Sequence, residues 1–497
     1  MNESRESNPY KGNMKILFLT TFAFFVSFVV WFNMAPFAST IEKALDLTTQ
    51  EMGVLLTMNV ALTIPARVII GMLVDRFGPR KVYSTLLVIM SIPCFLFALG
   101  TTFTQLMIAR MFLGIIGAGF VVGIRMVSEW FPAKKIGLAE GFYGGWGNFG
   151  SAAAAFTLPL IAIVLLGNVE DGWRYAIGLT GLLSLIYGFI YYFSVQDAPN
   201  GREYKRPHRN GAMEVTSYRD LFFLVFMTMP MFFILGVLTW KVQGLGFLSN
   251  TATYAIYAGL TALFLFNSFK IWSVNKSSLQ QGVAKKEKYA FKQVAILDFA
   301  YLCTFGSELA VVSMLPRFFE ETFTLSVAAA GMIAASFAFM NLIARPGGGW
   351  ISDKFGRKKT LIILMGGLAI AYMLMGNIDS SWSLIAAVAL TMLCSFFVQA
   401  GEGSVFSMVP LVKKRLTGQV AGMVGAYGNV GAVTFLTILT FVSPQTFFVV
   451  IGLFAVACFF TCFFLKEPDT AKIEQQAIEQ EEVKQNETPQ EVIAVRV

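Results

Sequence analysis

Two arginines stand where arginine is costly. Arg67 and Arg345 each precede by eight residues an aspartate, Asp75 or Asp353, that closes an apolar stretch. Eight residues of helix rise about 12 Å, so both guanidinium groups are expected near the middle of an apolar layer about 30 Å thick. An uncompensated charge there is expensive, and intramembrane arginines default to a functional reading. Neither has an obvious symmetric carboxylate partner, so facing each other across a central cavity they would form an anion site. Arginine suits a planar oxyanion better than lysine because its fork donates two parallel hydrogen bonds. The plainer alternative is that each satisfies itself on helix carbonyls.

Four acids lie within or near the apolar stretches: Glu129, Glu140, Glu308 and Glu402. Arg125 and Glu129 are four apart on one helix face and are expected to pair. Glu140 falls near a helix start, where a carboxylate favours the dipole. Glu308 and Glu402 lie deeper, and an unpaired carboxyl there could carry a proton. Other chemistry has little to build on. The five cysteines are odd in number, lie inside apolar stretches and lack metal-ligand spacing, and the one histidine, His208, sits in a basic loop. No nucleophile–base pair or metal cluster emerges, so an enzyme is the least favoured class and no cofactor is implied.

The elements that must position these groups follow from composition. Of 497 residues only 14% are charged and 56% are hydrophobic, against about 25% charged in ordinary globular proteins. Mean hydropathy is +0.64. A net charge of +8 could suggest nucleic acid, but the basic residues form short runs between apolar stretches, which is the positive-inside pattern. The chain therefore reads as an all-α polytopic membrane protein embedded in lipid. Six spans are expected at 15–38, 52–73, 82–100, 104–131, 137–164 and 174–195. Six more fall at 293–316, 325–350, 360–377, 382–408, 418–440 and 444–465. Between them, 221–248 and 252–273 would cross as an extra hairpin, giving fourteen spans, with twelve as the alternative if 221–273 lies at the interface. The implied organisation is a cytoplasmic segment 1–14, a six-helix bundle 15–195, a linker 196–292 carrying the hairpin, a second bundle 293–465, and a disordered acidic tail 466–497. Basic runs at Arg76 to Lys81, Lys134 and Lys135, Arg202 to Arg209, Lys285 to Lys288, Lys354 to Lys359 and Lys413 to Arg415 place both termini in the cytoplasm.

The halves repeat. The stretch Ala66 to Lys81 aligns without a gap on Ala344 to Lys359, and Gly137 to Gly150 on Gly418 to Gly431, at offsets of 278 and 281. Duplicated bundles related about the membrane normal are the plan of a rocking transporter. In the first pair, a glycine-loosened helix end presents a carboxylate and basic residues: Asp75, Arg76 and Arg80, matched by Asp353, Lys354 and Arg357. These could make breakable ion pairs that hold one gate state, or serve only as topogenic charge.

These loops resemble the signatures of the major facilitator superfamily, as does the stretch Arg110 to Gly117. Within it, the glycine–asparagine stretches Gly144 to Gly150 and Gly425 to Gly431 resemble the paired signature of the nitrate/nitrite porter family. The segments Trp31 to Pro36, Glu129 to Pro132 and Thr304 to Ser307 are also similar to its bacterial and cyanobacterial uptake members. The resemblance implies the major facilitator fold, with Tyr301, Phe305 and Phe120 lining an anion pocket, Asn148 and Asn429 as signature asparagines, and Gly144 and Gly425 as close-packing glycines. Aromatic walls fit a flat, weakly hydrated ion, and carboxamides can donate to its oxygens. The implied function is alternating-access transport of nitrate, with nitrite as a possible second substrate, by a plasma-membrane monomer coupled to protons through Glu308 or Glu402. A nitrate/nitrite exchanger, a carrier of another small anion and a nitrate sensor remain as alternatives. The charge pattern makes a direct prediction: reporters fused after Arg209 and after Lys288 read the cytoplasmic side, and one near Asn250 reads the opposite side. An inside signal at Asn250 would return the count to twelve.

Overall fold

The computed structural model describes residues 12–162, 171–199, 202–284 and 287–471, with 473 and 475. Most of the segment 1–14, most of the acidic tail, and Lys285 and Lys286 of the basic run lie outside these. Among the described residues the chain is helical and has no strand. The first half comprises α1 (Met14–Phe32), α2 (Ala38–Ala44), α3 (Thr49–Ala61), α4 (Thr63–Phe77), α5 (Pro79–Leu99), α6 (Phe103–Leu113), α7 (Gly119–Trp130), α8 (Ile136–Leu160) and α9 (Gly172–Ser194). The hairpin follows as α10 (Tyr218–Gly244) and α11 (Asn250–Gln281). The second half comprises α12 (Phe291–Phe323), α13 (Val327–Phe339), α14 (Asn341–Phe355), α15 (Arg357–Met375), α16 (Leu384–Val412), α17 (Thr417–Leu439) and α18 (Pro444–Cys462).

Each of the fourteen apolar stretches carries a helix, residues 163 and 164 of the fifth lying outside those described, and among the described residues thirteen helices are long and apolar enough to cross a membrane. The remaining stretch is the glycine-rich α8, 25 residues long. Helix α11 runs eight residues beyond the expected end at 273. It is the outermost element, and its buried residues are Thr253, Ile271 and Asn275. Asn275 accepts from Val215 N at 2.8 Å and donates to Met213 O at 3.0 Å, tying α11 to the linker. Helix α10 fills the space between α11 and the second half, packing on α12 and α17.

Two breaks and two glycine faces position the interior. The second span of the first half breaks between α3 and α4, and its counterpart breaks between α13 and α14. Helices α4 and α14 restart at Thr63 and Asn341, 278 residues apart, so the repeat includes the break, and each arginine lies one turn beyond it. The halves meet where α8 packs on α14 and α17 packs on α4. The repeated glycines explain that closeness. A Cβ at Gly137, Gly141 or Gly144 would lie within 2.5 Å of Gly349 O, Arg345 O or Arg345 Nε. A Cβ at Gly422 would lie 2.4 Å from Arg67 O, and one at Gly425 3.1 Å from Arg67 Cδ. Small residues let membrane helices approach backbone to backbone, so one repeated motif is the docking surface of the other.

Candidate anion site

Arg67 and Arg345 converge from opposite halves on one ring. Their guanidinium carbons lie 5.5 and 5.4 Å from the centroid of Phe120, and Arg67 lies 5.3 Å from that of Phe305. Both arginines are 1% exposed. The rings form a box. Tyr301 stacks on Phe305 at 5.1 Å and parallel to Phe120 at 6.3 Å, while Phe406 meets Phe120 and Tyr301 edge-on at 4.7 and 4.8 Å. Phe120 sits two residues after the 3-10 segment Gly114–Ala118 that joins α6 to α7, so a third helix break lies at the same site. Broken helices in transporters mark substrate sites, because exposed backbone polar groups are tolerated only beside a cavity or within protein.

The two arginines are not equivalent. Arg67 donates to Gly425 O at 2.6 Å and to Gly117 O at 3.4 Å. Asn429, with its carboxamide oxygen turned towards Arg67, accepts from Nη1 and Nε at 3.2 and 3.3 Å. The carbonyl alternative thus holds in part for Arg67. Arg345 instead forms an ion pair with Glu402 and donates to Tyr301 Oη at 3.2 Å. This corrects the expectation that neither arginine has a carboxylate partner and that Glu402 is unpaired. The reason is tertiary: the packing of α14 on α16 brings together residues 57 apart in sequence. Glu308 is 5% exposed and accepts from Asn341, the residue that restarts α14. Asn148, 7% exposed, makes no bond to Arg345 among the described residues, so it lacks the contact its counterpart Asn429 makes.

At the basic-loop face the halves are sealed by carboxylates that bind helix N-termini across the interface. Asp75 accepts from Gly418 N and Gln419 N at 2.8 and 2.9 Å, and Asp353 accepts from Gly137 N and Leu138 N at 3.1 and 2.8 Å. Each pair of bonds satisfies orphan amides and complements the dipole of the partner helix. Arg125 pairs with Asp75 at 3.2 Å and, as expected, with Glu129 at 2.9 Å, and it donates across the interface to Lys414 O. Arg357 pairs with Asp353 at 2.5 Å and donates to Ala133 O at 2.6 Å. Arg76 and Lys354 do not join this seal: both are exposed, Arg76 over Phe77 at 4.9 Å and Lys354 over Trp350 at 4.9 Å. Arg80 serves its own half, donating to Tyr192 O at 2.7 Å.

Several participants escape sequence reasoning. Phe406 carries no motif among 49 phenylalanines. Asp197 and Glu467, after the last span of each half, cap the helices that follow the two gate loops. Arg80 N donates to Asp197 at 2.7 Å, and Arg357 N and Lys358 N donate to Glu467 at 2.8 and 2.7 Å. Between gate aspartate and capped helix lie Gly78 and Gly356, with φ of +90° and +98°, a turn that disfavours any residue with a Cβ. The signal for the two caps was present as an acid after each sixth span, but outside the aligned motifs.

The broken spans, the cross-sealed halves and the cationic centre define a membrane carrier built on two pseudo-symmetric bundles. A family model described as Major Facilitator Superfamily matches residues 20–274 and 297–494. The chain is 49% identical over 501 residues to "Nitrate/nitrite transporter NrtP" of Picosynechococcus sp., covering 92% of this chain and 94% of that one. It is 48% identical to the protein of the same name from Nostoc punctiforme, with 92% and 93% covered. The solved major facilitator transporter FucP, in an outward conformation, superimposes with a TM-score of 0.62 at 14% identity over 90% of this chain and 98% of that one, a likeness of fold alone. The chain belongs to the nitrate/nitrite porter family of the major facilitator superfamily. It is a multi-pass membrane transporter and not an enzyme.

The ion pair makes a prediction of its own. Glu402→Gln leaves a buried guanidinium without its counter-charge, and stability is expected to fall by about 3–5 kcal/mol. Thermal unfolding of the purified protein reads this as a lowered midpoint, partly recovered by excess small anion. A wild-type midpoint would mean that Arg345 is held by other partners.

Proposed function

We propose that this chain carries nitrate, and nitrite as a related substrate, across the plasma membrane by alternating access, with uptake driven by protons. The observation that carries this reading is the placement of Arg67 and Arg345, from opposite halves, over the one ring of Phe120. A flat monovalent oxyanion fits between parallel aromatic faces and accepts from both forks. The names of the cyanobacterial relatives support the substrate class. Residues 15–195 and 293–465 serve as the two rocking units, the linker 196–292 joins them, and the basic-loop face with both termini is cytoplasmic.

Charge supports coupling. Glu402 offsets Arg345, while Arg67 has only neutral partners, so the pair holds one uncompensated positive charge, the complement of one nitrate. Glu308, which accepts from Asn341 beside them, is the carboxyl proposed to couple nitrate to protons. Moving a monovalent anion into a negative cell costs about 2.3 kcal/mol per 100 mV, and net inward positive charge needs at least two protons.

Proteoliposome uptake of nitrate under imposed proton and nitrite gradients tests the reading. Arg67→Lys and Arg345→Lys keep the charge but lose the fork, worth about 1.5–3 kcal/mol for a bond to a charged group, and transport is expected to fall roughly 10- to 100-fold in each. Nitrate is expected to drive inward current at acid external pH, weakened in Glu308→Gln. Wild-type transport by Arg345→Lys would overturn the paired clamp. Flux that requires nitrite on the opposite side and ignores a proton gradient would replace symport by exchange.

A further inference from the structure

Glu140 has no part in the site described above, yet it occupies the seam between the gate and the arginines. It sits on α8 three residues after Gly137, whose amide is bound by Asp353, and four before Gly144, which abuts Arg345. That spacing puts it on the α8 face that packs against α14 of the other half. It is 1% exposed, and among the described residues neither carboxyl oxygen has a hydrogen-bond partner. The helix-start role expected from sequence does not account for it, because the amides of Gly137 and Leu138 are already taken by Asp353.

The repeat supplies an internal control. Position 140 aligns with Ala421 in the sequence Gly418 to Gly422, and Ala421 is fully buried at the mirror-image seam between α17 and α4. A methyl group therefore satisfies the packing, and the carboxyl is an addition to one seam only.

The ionisable groups on the surrounding elements are otherwise engaged. Arg345 of α14, which abuts Gly144 one turn along α8, is paired with Glu402 of α16 and donates to Tyr301. Asp353 of α14 is held by Arg357, and Arg125 of α7 by Asp75 and Glu129. Tyr143, one turn along α8, donates to Gly119 O and Phe120 O. Helix α1 faces α8 with aromatic rings, Phe24 on Tyr143 and Phe18 on Phe142.

We propose that Glu140 is a proton-binding site that closes with the gate: it holds a proton while the halves are sealed at the basic-loop face and releases it to water when α8 and α14 part there. A carboxylate without hydrogen bonds in a dry seam is unfavourable, and taking up a proton removes its charge. Closing therefore binds one proton to one carboxylate oxygen, and opening returns it. Because the proton enters and leaves at that one face, the site carries no net charge across the membrane and stands apart from the proton-coupled uptake proposed above. The gate's own response to pH does not depend on that reading.

The experiment uses the full chain in lipid nanodiscs without nitrate, with the same pH on both faces at each point of a pH series, and with spin labels on Lys135→Cys and Lys359→Cys. Both positions are exposed and lie on opposite halves, and all five natural cysteines are buried, so the labels report the gate. Pulsed distance measurement is expected to show the long-distance population growing as pH rises, by up to about tenfold per pH unit, the limit for one linked proton. Glu140→Gln and Glu140→Ala are expected to flatten that response while retaining both distances. Alanine is the residue the other seam already tolerates, so loss of folding does not confound the result. A wild-type population that ignores pH, or a response unchanged in both variants, overturns the proposal. A pH-responsive gate in a protein whose nitrate flux ignores proton gradients would uphold Glu140 as a gate site and refute proton-coupled uptake instead.

Discussion

The cost of holding two guanidinium groups in the interior of a bilayer governs this structure. Neither can be left bare, and the fold compensates them differently. Arg67 is met by backbone carbonyls and the Asn429 carboxamide, and Arg345 by the Glu402 carboxylate and Tyr301. Both use the face of Phe120. The breaks at Thr63 and Asn341 set each arginine one turn into a fresh helix, and glycines at 144 and 425 make room for the side chains. Much of the interior is the scaffold of that compensation.

The same interface connects site and gate. Along α8, Gly137, Glu140, Gly141 and Gly144 run from the Asp353 seal to the Arg345 guanidinium, and along α17 Gly418, Gly422 and Gly425 run from the Asp75 seal to Arg67. A shift of either helix alters the gate amides and the arginine pocket together. Each half also closes on the other by a carboxylate that accepts from two amides at its neighbour's helix N-terminus, so parting the halves exposes two carboxylates and four amides at once. Such a seal is electrostatic, made of carboxylates on helix N-termini.

The fold was legible in the sequence, and so was the placement of the two central arginines. Apolar stretches of span length and basic loops gave the helices, because the bilayer demands continuous apolar surface. The duplication gave Arg67, Arg345, Asp75 and Asp353, since pseudo-symmetry places paired residues at equivalent depths, and the family resemblance singled out Asn429. What it hid were contacts between residues far apart and without a repeat partner. Glu402 meets Arg345 through the packing of α16 on α14, and Phe406 is one ring among many. The repeat also overstated equivalence: Asn148 lacks the arginine contact of Asn429, and Arg76 and Lys354 turn out over aromatic rings instead of into the seal. Symmetry located the positions, and the departures from it located the chemistry.

The central claim is that the two arginines act on one anion as a unit. Equilibrium nitrate binding to the wild type, Arg67→Lys, Arg345→Lys and the double variant tests it most directly. Groups sharing a ligand are coupled, and the account predicts a double variant little weaker than either single one, an interaction energy of about 1–3 kcal/mol. Losses that multiply, with no coupling, would mean that the arginines serve separate partners and that the shared anion site does not exist.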